Sequence, residues 1–83
     1  MDALRQYSKL KAKYPDVVLF FRVGEYFESY HEDALLCARL LGLKVNASLV
    51  VPTTGVPDSS IKPYLKHLLE QGYRTALIER AKR

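Results

Sequence analysis

Five consecutive apolar residues, Val17 to Phe21, constrain the fold more than any other feature of this sequence. All five are β-branched, branched or aromatic, which favours a strand. A strand with one exposed face alternates apolar with polar residues, so an unbroken run predicts a strand buried on both faces. Arg22 interrupts the run, and Gly24 then permits a sharp bend. The sequence therefore predicts a central strand that leaves the core at a turn.

The residues that follow this bend place an aromatic ring and a carboxylate together. In an extended segment side chains alternate between the two faces, so Tyr26 and Glu28 point one way and Phe27 the other. Glu25 and Glu28 would then face opposite sides, which disfavours paired acid–base chemistry. The feature to be explained is thus an aromatic–carboxylate pair at the exit of a buried strand.

Size and composition predict one small globular domain covering residues 1–83, with 48% hydrophobic residues. Thirteen Lys and Arg against nine Asp and Glu give a net charge of +4, which suits nucleic-acid binding and ordinary solubilising charge equally well. The single cysteine, Cys37, fits a reducing compartment. The sequence has neither a secretory signal nor an apolar run near the ~20 residues of a membrane span, so a cytoplasmic protein without membrane contact is expected.

The order of predicted elements is α-β-β-α-β-(β)-α-β, which predicts an α/β (α+β) fold with a small mixed sheet flanked by about three helices. The boundaries follow from Pro and Gly signals. Helices are expected over about 2–13, 31–41 and 58–71, one or two strands over 43–51, a loop over 52–57 and a last strand over 73–79. The second helix is apolar almost all round and is expected to be well covered.

Catalytic and metal-binding patterns are absent from the sequence. It contains no phosphate-binding glycine loop and no nucleophile–base arrangement. His31 and His67 stand on different predicted elements, so no metal site is expected. Cys37 lies in a helical apolar run typical of a core thiol. An enzyme is therefore not expected, and the chain offers no candidate catalytic residue.

The stretch LFFRVGEYFESYHEDA, Leu19 to Ala34, closely resembles the LFFRMGDFYELFYEDA stretch in the amino-terminal domain of MutS mismatch-repair proteins. Further matching residues lie on both sides of this stretch in the family's order. They are Tyr7, Lys11-Ala12, Gly55-Val56-Pro57, Tyr64-Leu65, Gln71-Gly72 and Ala76 to Glu79. The resemblance spans nearly the whole chain and implies the fold of that domain.

The resemblance also implies a function. In that family the aromatic and the glutamate of a Phe-x-Glu motif enter the DNA minor groove at a mismatch, where the aromatic stacks on an unpaired base and the glutamate hydrogen-bonds it. The motif falls on Tyr26 and Glu28, and these residues with Arg22 and Gly24 are the expected DNA-binding set. Unstacking a base step costs a few kcal/mol, which an aromatic wedge partly offsets. A mismatched step is already weakly stacked.

This chain departs from the family pattern in three respects. The family's Phe-Tyr order is swapped, so a tyrosine, Tyr26, takes the stacking position, and its hydroxyl needs a partner among the bases or costs roughly 1–3 kcal/mol. The loop before Gly55 is shorter. The connector, clamp and ATPase of a complete MutS protein are missing, which suggests either an excised domain or a stand-alone relative.

Two functions remain open at this point. The first is recognition of mismatched or distorted duplex DNA, with the remainder of a MutS-like protein as a further partner. The second is a protein-interaction module of the same fold in which the wedge has decayed, because some eukaryotic MutS relatives lack the stacking aromatic in one subunit. ATP and magnesium belong to the family's ATPase domain, so no cofactor is expected in this chain.

Overall fold

A computed structural model describes residues 2–47 and 50–79. The predicted α+β class with a mixed sheet and three α-helices is confirmed. In chain order the elements are α1 (Asp2–Lys13), β1 (Val17–Val23), β2 (Tyr26–Tyr30), α2 (His31–Leu41), β3 (Thr53–Pro57), a 3-10 turn (Asp58–Ser60), α3 (Ile61–Glu70) and β4 (Arg74–Ile78). Within the described ranges, no helix has the length and apolar character needed to cross a membrane.

The four strands form one sheet in the order β3-β2-β1-β4. β1 and β2 form an antiparallel hairpin, β3 pairs antiparallel with β2, and β4 pairs parallel with β1. β1 is therefore an interior strand, and its residues Leu19, Phe20 and Phe21 are each at most 2% exposed. The predicted central buried strand is confirmed.

The sheet separates two hydrophobic cores. On one face Phe20 and Phe27 pack with residues of α2 and α3, including Cys37. On the other face Phe21 packs with Tyr7 of α1. Because successive residues of β1 point into different cores, its buried part, residues 18–21, has to be apolar. Burial raises the pKa of the Cys37 thiol to about 11, as suits a core residue rather than a reactive thiol.

The prediction for the segment between α2 and α3 is wrong in two respects. Residues 53–57, expected as a loop, form β3, whereas residues 43–47 and 50–51 contribute only an isolated bridge between Asn46 and Thr53. The expected strand also included residues 48–49, which lie outside the described residues. Pro52 precedes β3 and Pro57 is its last residue, and β3 is an edge strand, where proline is tolerated.

Two helix predictions also need correction. α2 was expected to be well covered, but Leu35 is 51% exposed while Ala34 and Cys37 are fully buried. One side of α2 faces the sheet and α3, and Leu35 lies on its outer, exposed side. The third helix, expected over 58–71, begins as a 3-10 turn at residues 58–60 and becomes α-helical over 61–70.

Candidate functional site

The tip of the β1–β2 hairpin is a two-residue turn formed by Gly24 and Glu25, which connects the paired residues Val23 and Tyr26. Gly24 has a φ of +64°, whereas Glu25 is not in the positive-φ region. Positive φ at the first of two loop residues is the φ pattern of a type II′ turn, which selects glycine at that position. The bend predicted at Gly24 is thus confirmed as a tight turn. It brings Tyr26 to the start of β2.

Tyr26 and Glu28 lie on the same face of β2, as the alternation predicted. A Cβ atom added to Gly55, the residue paired with Glu28 on β3, would lie 3.6 Å from Tyr26 Cδ2 and 3.8 Å from Glu28 Cγ. Both side chains therefore border the same glycine. Phe27, between them in sequence, points into the opposite core and is 2% exposed.

The face that carries Tyr26 is uncovered at this end of the sheet. The core under α1 includes Phe21 and Tyr30 but does not extend to the hairpin tip. Tyr26 is 49% exposed, and its cross-strand neighbour Val23 is 37% exposed. An aromatic ring, a valine and a carboxylate thus form a small open surface beside Gly55.

The Glu28 carboxylate has a partner that sequence reasoning missed. The Tyr30 hydroxyl donates a hydrogen bond of 2.9 Å to Glu28 Oε1. Burial, followed by this hydrogen bond to the carboxylate, raises the pKa of Tyr30 above its ordinary value. The two residues are two positions apart on one strand face, so the spacing itself was a usable signal.

Arg22 lies behind the hairpin rather than beside Tyr26. Its guanidinium forms ion pairs of 2.6 Å with Asp58 and 2.6 Å with Glu79, and it lies 4.6 Å from the centroid of the Phe27 ring. The Asp58 backbone N–H also donates a 2.8 Å hydrogen bond to the Glu25 carbonyl. These contacts join the hairpin to the 3-10 turn before α3 and join β1 to the residue after β4. The predicted DNA contact of Arg22 stays a prediction. In the structure the Arg22 guanidinium is paired with carboxylates of the domain itself.

A second polar network lies under α1 and α2, away from the hairpin tip. The Asp33 carboxylate, in a residue that is 3% exposed, pairs with Lys11 Nζ at 2.8 Å and accepts the Leu19 backbone N–H at 3.1 Å. Tyr7 stacks on the His31 ring at 5.6 Å. Nowhere in the described ranges do three or more His, Cys, Asp or Glu side chains converge on a possible metal position. This network joins two helices to the sheet and is structural.

Fold and site together define a small α+β domain that presents an aromatic ring and a carboxylate side by side on an open sheet face. The sequence matches the family described as MutS domain I over residues 2–83, and the chain belongs to that family. The predicted relationship is confirmed.

Individual relatives agree with this assignment. The chain is 40% identical over 79 residues to the DNA mismatch repair protein MutS of Oleidesulfovibrio alaskensis, an alignment that covers 89% of this chain and 9% of that protein. It is 38% identical over 81 residues to proteins of Streptococcus pneumoniae named DNA mismatch repair protein MutS and DNA mismatch repair protein HexA, covering 92% of this chain and 10% of each. The chain thus spans about a tenth of the length of these relatives.

Proposed function

We propose that this chain is a DNA-binding module of DNA mismatch repair that recognises mismatched or distorted duplex DNA by inserting Tyr26 beside Glu28. The observation that carries the proposal is the half-exposed Tyr26 ring, which borders Gly55 together with Glu28 on the uncovered end of the sheet. The family membership of residues 2–83 supports the same reading.

The position of Tyr26 suits a wedge. Tyr26 lies between Val23 of β1 and Pro57 of β3, and its half-exposed ring projects from the sheet face. A single ring is small enough to enter the minor groove, which is only about 6 Å wide. Stacking of a base on an aromatic ring is worth roughly 1–3 kcal/mol. That gain is comparable to the cost of opening a base step, a few kcal/mol, and a mismatched step costs less to open. Insertion is therefore favoured where pairing is already defective.

Glu28 supplies discrimination rather than affinity. A carboxylate accepts hydrogen bonds, whereas paired A·T steps present only acceptors in the minor groove. An N–H group released from its normal pairing by a mismatch is a suitable donor for Glu28. On matched DNA the same carboxylate meets phosphate charge without this compensation, which is unfavourable. Glu28 therefore penalises correctly paired A·T steps, which offer it no donor, whereas a paired G·C step still presents the guanine amino group.

The remaining predicted site residues have supporting roles in this proposal. Gly24 allows the turn that presents Tyr26, and Arg22 fixes that turn through Asp58 and Glu79. The family stretch has a phenylalanine at the position of Tyr26. The additional hydroxyl of Tyr26 can donate a hydrogen bond to the acceptors that line the minor groove. The proposal assigns no cofactor to this chain, and the remainder of a MutS-like protein is its proposed protein partner.

The test is binding of the chain to two fluorescent duplexes that differ only by one mismatched base pair. We expect the parent to prefer the mismatched duplex, and Tyr26→Ala to lose that preference while keeping weak, salt-sensitive binding. Tyr14→Ala is the matched control, because Tyr14 is equally exposed, at 51%, but precedes β1 at the opposite end of the strand. Tyr26→Phe should retain the preference, since the ring is kept.

Two results would contradict the proposal. If Tyr26→Ala lowers the melting temperature strongly and leaves DNA binding unchanged, Tyr26 is a packing residue. If the parent does not distinguish the two duplexes, the alternative of a protein-interaction module with a decayed wedge is favoured.

A further inference from the structure

The Glu28 carboxylate is held by a residue from the core of the domain. Tyr30 donates from its hydroxyl to Glu28 Oε1 at 2.9 Å. Tyr30 is 4% exposed, whereas Glu28 is partly exposed at the edge of the open surface. The hydrogen bond therefore joins a fixed side chain to one that would otherwise move freely in solvent.

Several contacts fix Tyr30 itself. Its ring lies 5.9 Å from the Phe21 ring and 6.0 Å from the Tyr7 ring, the latter in an edge-on arrangement. Its backbone is paired with Thr53 of β3, and the N–H of the following residue, His31, donates to the Pro52 carbonyl at 3.0 Å. The hydroxyl is thus presented to Glu28 from a rigid support.

This hydrogen bond distinguishes the chain from the family stretch that it resembles. That stretch, LFFRMGDFYELFYEDA, has a phenylalanine where this sequence has Tyr30. Phenylalanine has no hydroxyl to donate, so a protein with that residue must hold its glutamate by other means. The Tyr30–Glu28 contact is therefore a property of this chain and cannot be carried over from the family.

We infer that Tyr30 is a positioning residue of the proposed recognition site, and that it orders the Glu28 carboxylate beside Tyr26 before DNA binds. Oε1 is engaged by Tyr30, which leaves Oε2 to accept an N–H from a mispaired base. The inference rests on the proposed function of Tyr26 and Glu28. Ordering one free side chain on binding reduces affinity by about 2- to 12-fold, and a side chain already ordered by Tyr30 avoids most of this loss.

The test removes a single oxygen atom. Tyr30→Phe keeps the buried ring and deletes the hydrogen bond, so we expect the ratio of mismatched to matched affinity to fall by about 2- to 12-fold. Loss of the hydrogen bond should lower the melting temperature, but the chain should stay folded because the ring remains in the core. Tyr7→Phe is the matched control: it deletes a buried hydroxyl from the same aromatic cluster, one that interacts with Asp33 instead of Glu28. Its affinity ratio should equal that of the parent.

Two further measurements distinguish a positioning role of Tyr30 from a purely structural one. In a Glu28→Ala background, Tyr30→Phe should have no additional effect on the ratio, because a residue that acts through Glu28 has nothing left to position. In the DNA-free protein, NMR scalar couplings of the Glu28 side chain should report one rotamer in the parent and in Tyr7→Phe, and averaged rotamers in Tyr30→Phe.

The failures of the two proposals are distinguishable. A parent chain that discriminates, together with a Tyr30→Phe chain that discriminates equally, overturns this inference alone. Averaged Glu28 rotamers in the parent overturn it as well. A parent chain without any mismatch preference overturns the proposed function and this inference with it.

Discussion

Tyr26 and Phe27 are neighbouring aromatic residues with opposite environments, the first 49% exposed and the second 2% exposed. Strand alternation alone produces this difference, because adjacent residues of β2 face opposite sides of the sheet. The Tyr-Phe order therefore puts the hydroxyl on the ring that water reaches and leaves the core ring apolar. The family stretch has the opposite order, Phe-Tyr. In this chain a tyrosine in place of Phe27 would bury a hydroxyl, and a buried hydroxyl without a hydrogen-bond partner costs about 1–3 kcal/mol of stability.

At this scale the sharpest prediction concerns the charge of Glu28. Glu28→Gln keeps the shape and one acceptor oxygen but removes the repulsion of phosphate. We expect tighter binding to matched duplex and a smaller mismatched-to-matched ratio, measured by fluorescence anisotropy at fixed salt. Glu70→Gln, which removes an exposed charge at the end of α3, is the control. An unchanged ratio in Glu28→Gln would remove Glu28 from the recognition site.

Whether the sequence predicts the contacts of a single residue depends on how far apart the two partners lie in the sequence. The shared face of Tyr26 and Glu28 follows from their spacing, and the spacing of Glu28 and Tyr30 held the same information. The approach of Gly55 to both could not be predicted, because it depends on the register between β2 and β3. The ion pairs of Arg22 also join residues far apart in sequence, the more distant being Glu79.

Among the elements, β1 organises the domain because it is hydrogen-bonded on both edges and packed on both faces. Its unbroken run of five apolar residues allows little else, so its place could be predicted from the sequence. β3 could not be predicted, because Pro52 before it, and Gly55 and Pro57 within it, mark this segment as a loop. Pairing with β2 and the burial of Thr53, Thr54 and Val56 outweigh that local signal.

The dependence of the fold on β1 can be measured at Phe20, which is fully buried. Phe20→Ala should lower the free energy of unfolding by about 3–5 kcal/mol. Small domains have about 5–15 kcal/mol in total, so the variant should be largely unfolded near physiological temperature. Leu77→Ala is the control, because Leu77 is the β4 partner of Phe20 but is 39% exposed. Thermal unfolding followed by circular dichroism checks both. A Phe20→Ala chain that melts like the parent would contradict the two-core description of the sheet.

At the scale of the whole molecule, size limits what the domain can do on DNA. Its longest extent is 33 Å, which corresponds to about ten base pairs at 3.4 Å each. Glu25 of the turn and Glu28 of β2 are acidic, whereas exposed basic residues lie elsewhere, including Arg5, Lys9 and Lys13 of α1. In the proposed complex we therefore expect few phosphate contacts, made outside the hairpin tip.

This arrangement predicts weak and strongly salt-dependent binding to ordinary duplex. We expect a dissociation constant no tighter than about 10⁻⁴ to 10⁻⁶ M at physiological salt, with the logarithm of affinity falling linearly with the logarithm of salt concentration. A titration at several salt concentrations checks this. Binding that ignores salt, or no binding at low salt, would count against DNA as the partner.

The anchored turn of the hairpin has a kinetic consequence. The Glu25 carbonyl accepts the Asp58 N–H, and Arg22 joins the same region to Glu79, so the tip has little freedom to rearrange when it meets a duplex. Matched and mismatched DNA then collide with the same preformed surface, and their association rates should be nearly equal. In the proposed binding mode, selectivity should therefore reside in residence time: the domain should leave a correctly paired duplex quickly and stay longer where a base stacks on the ring of Tyr26.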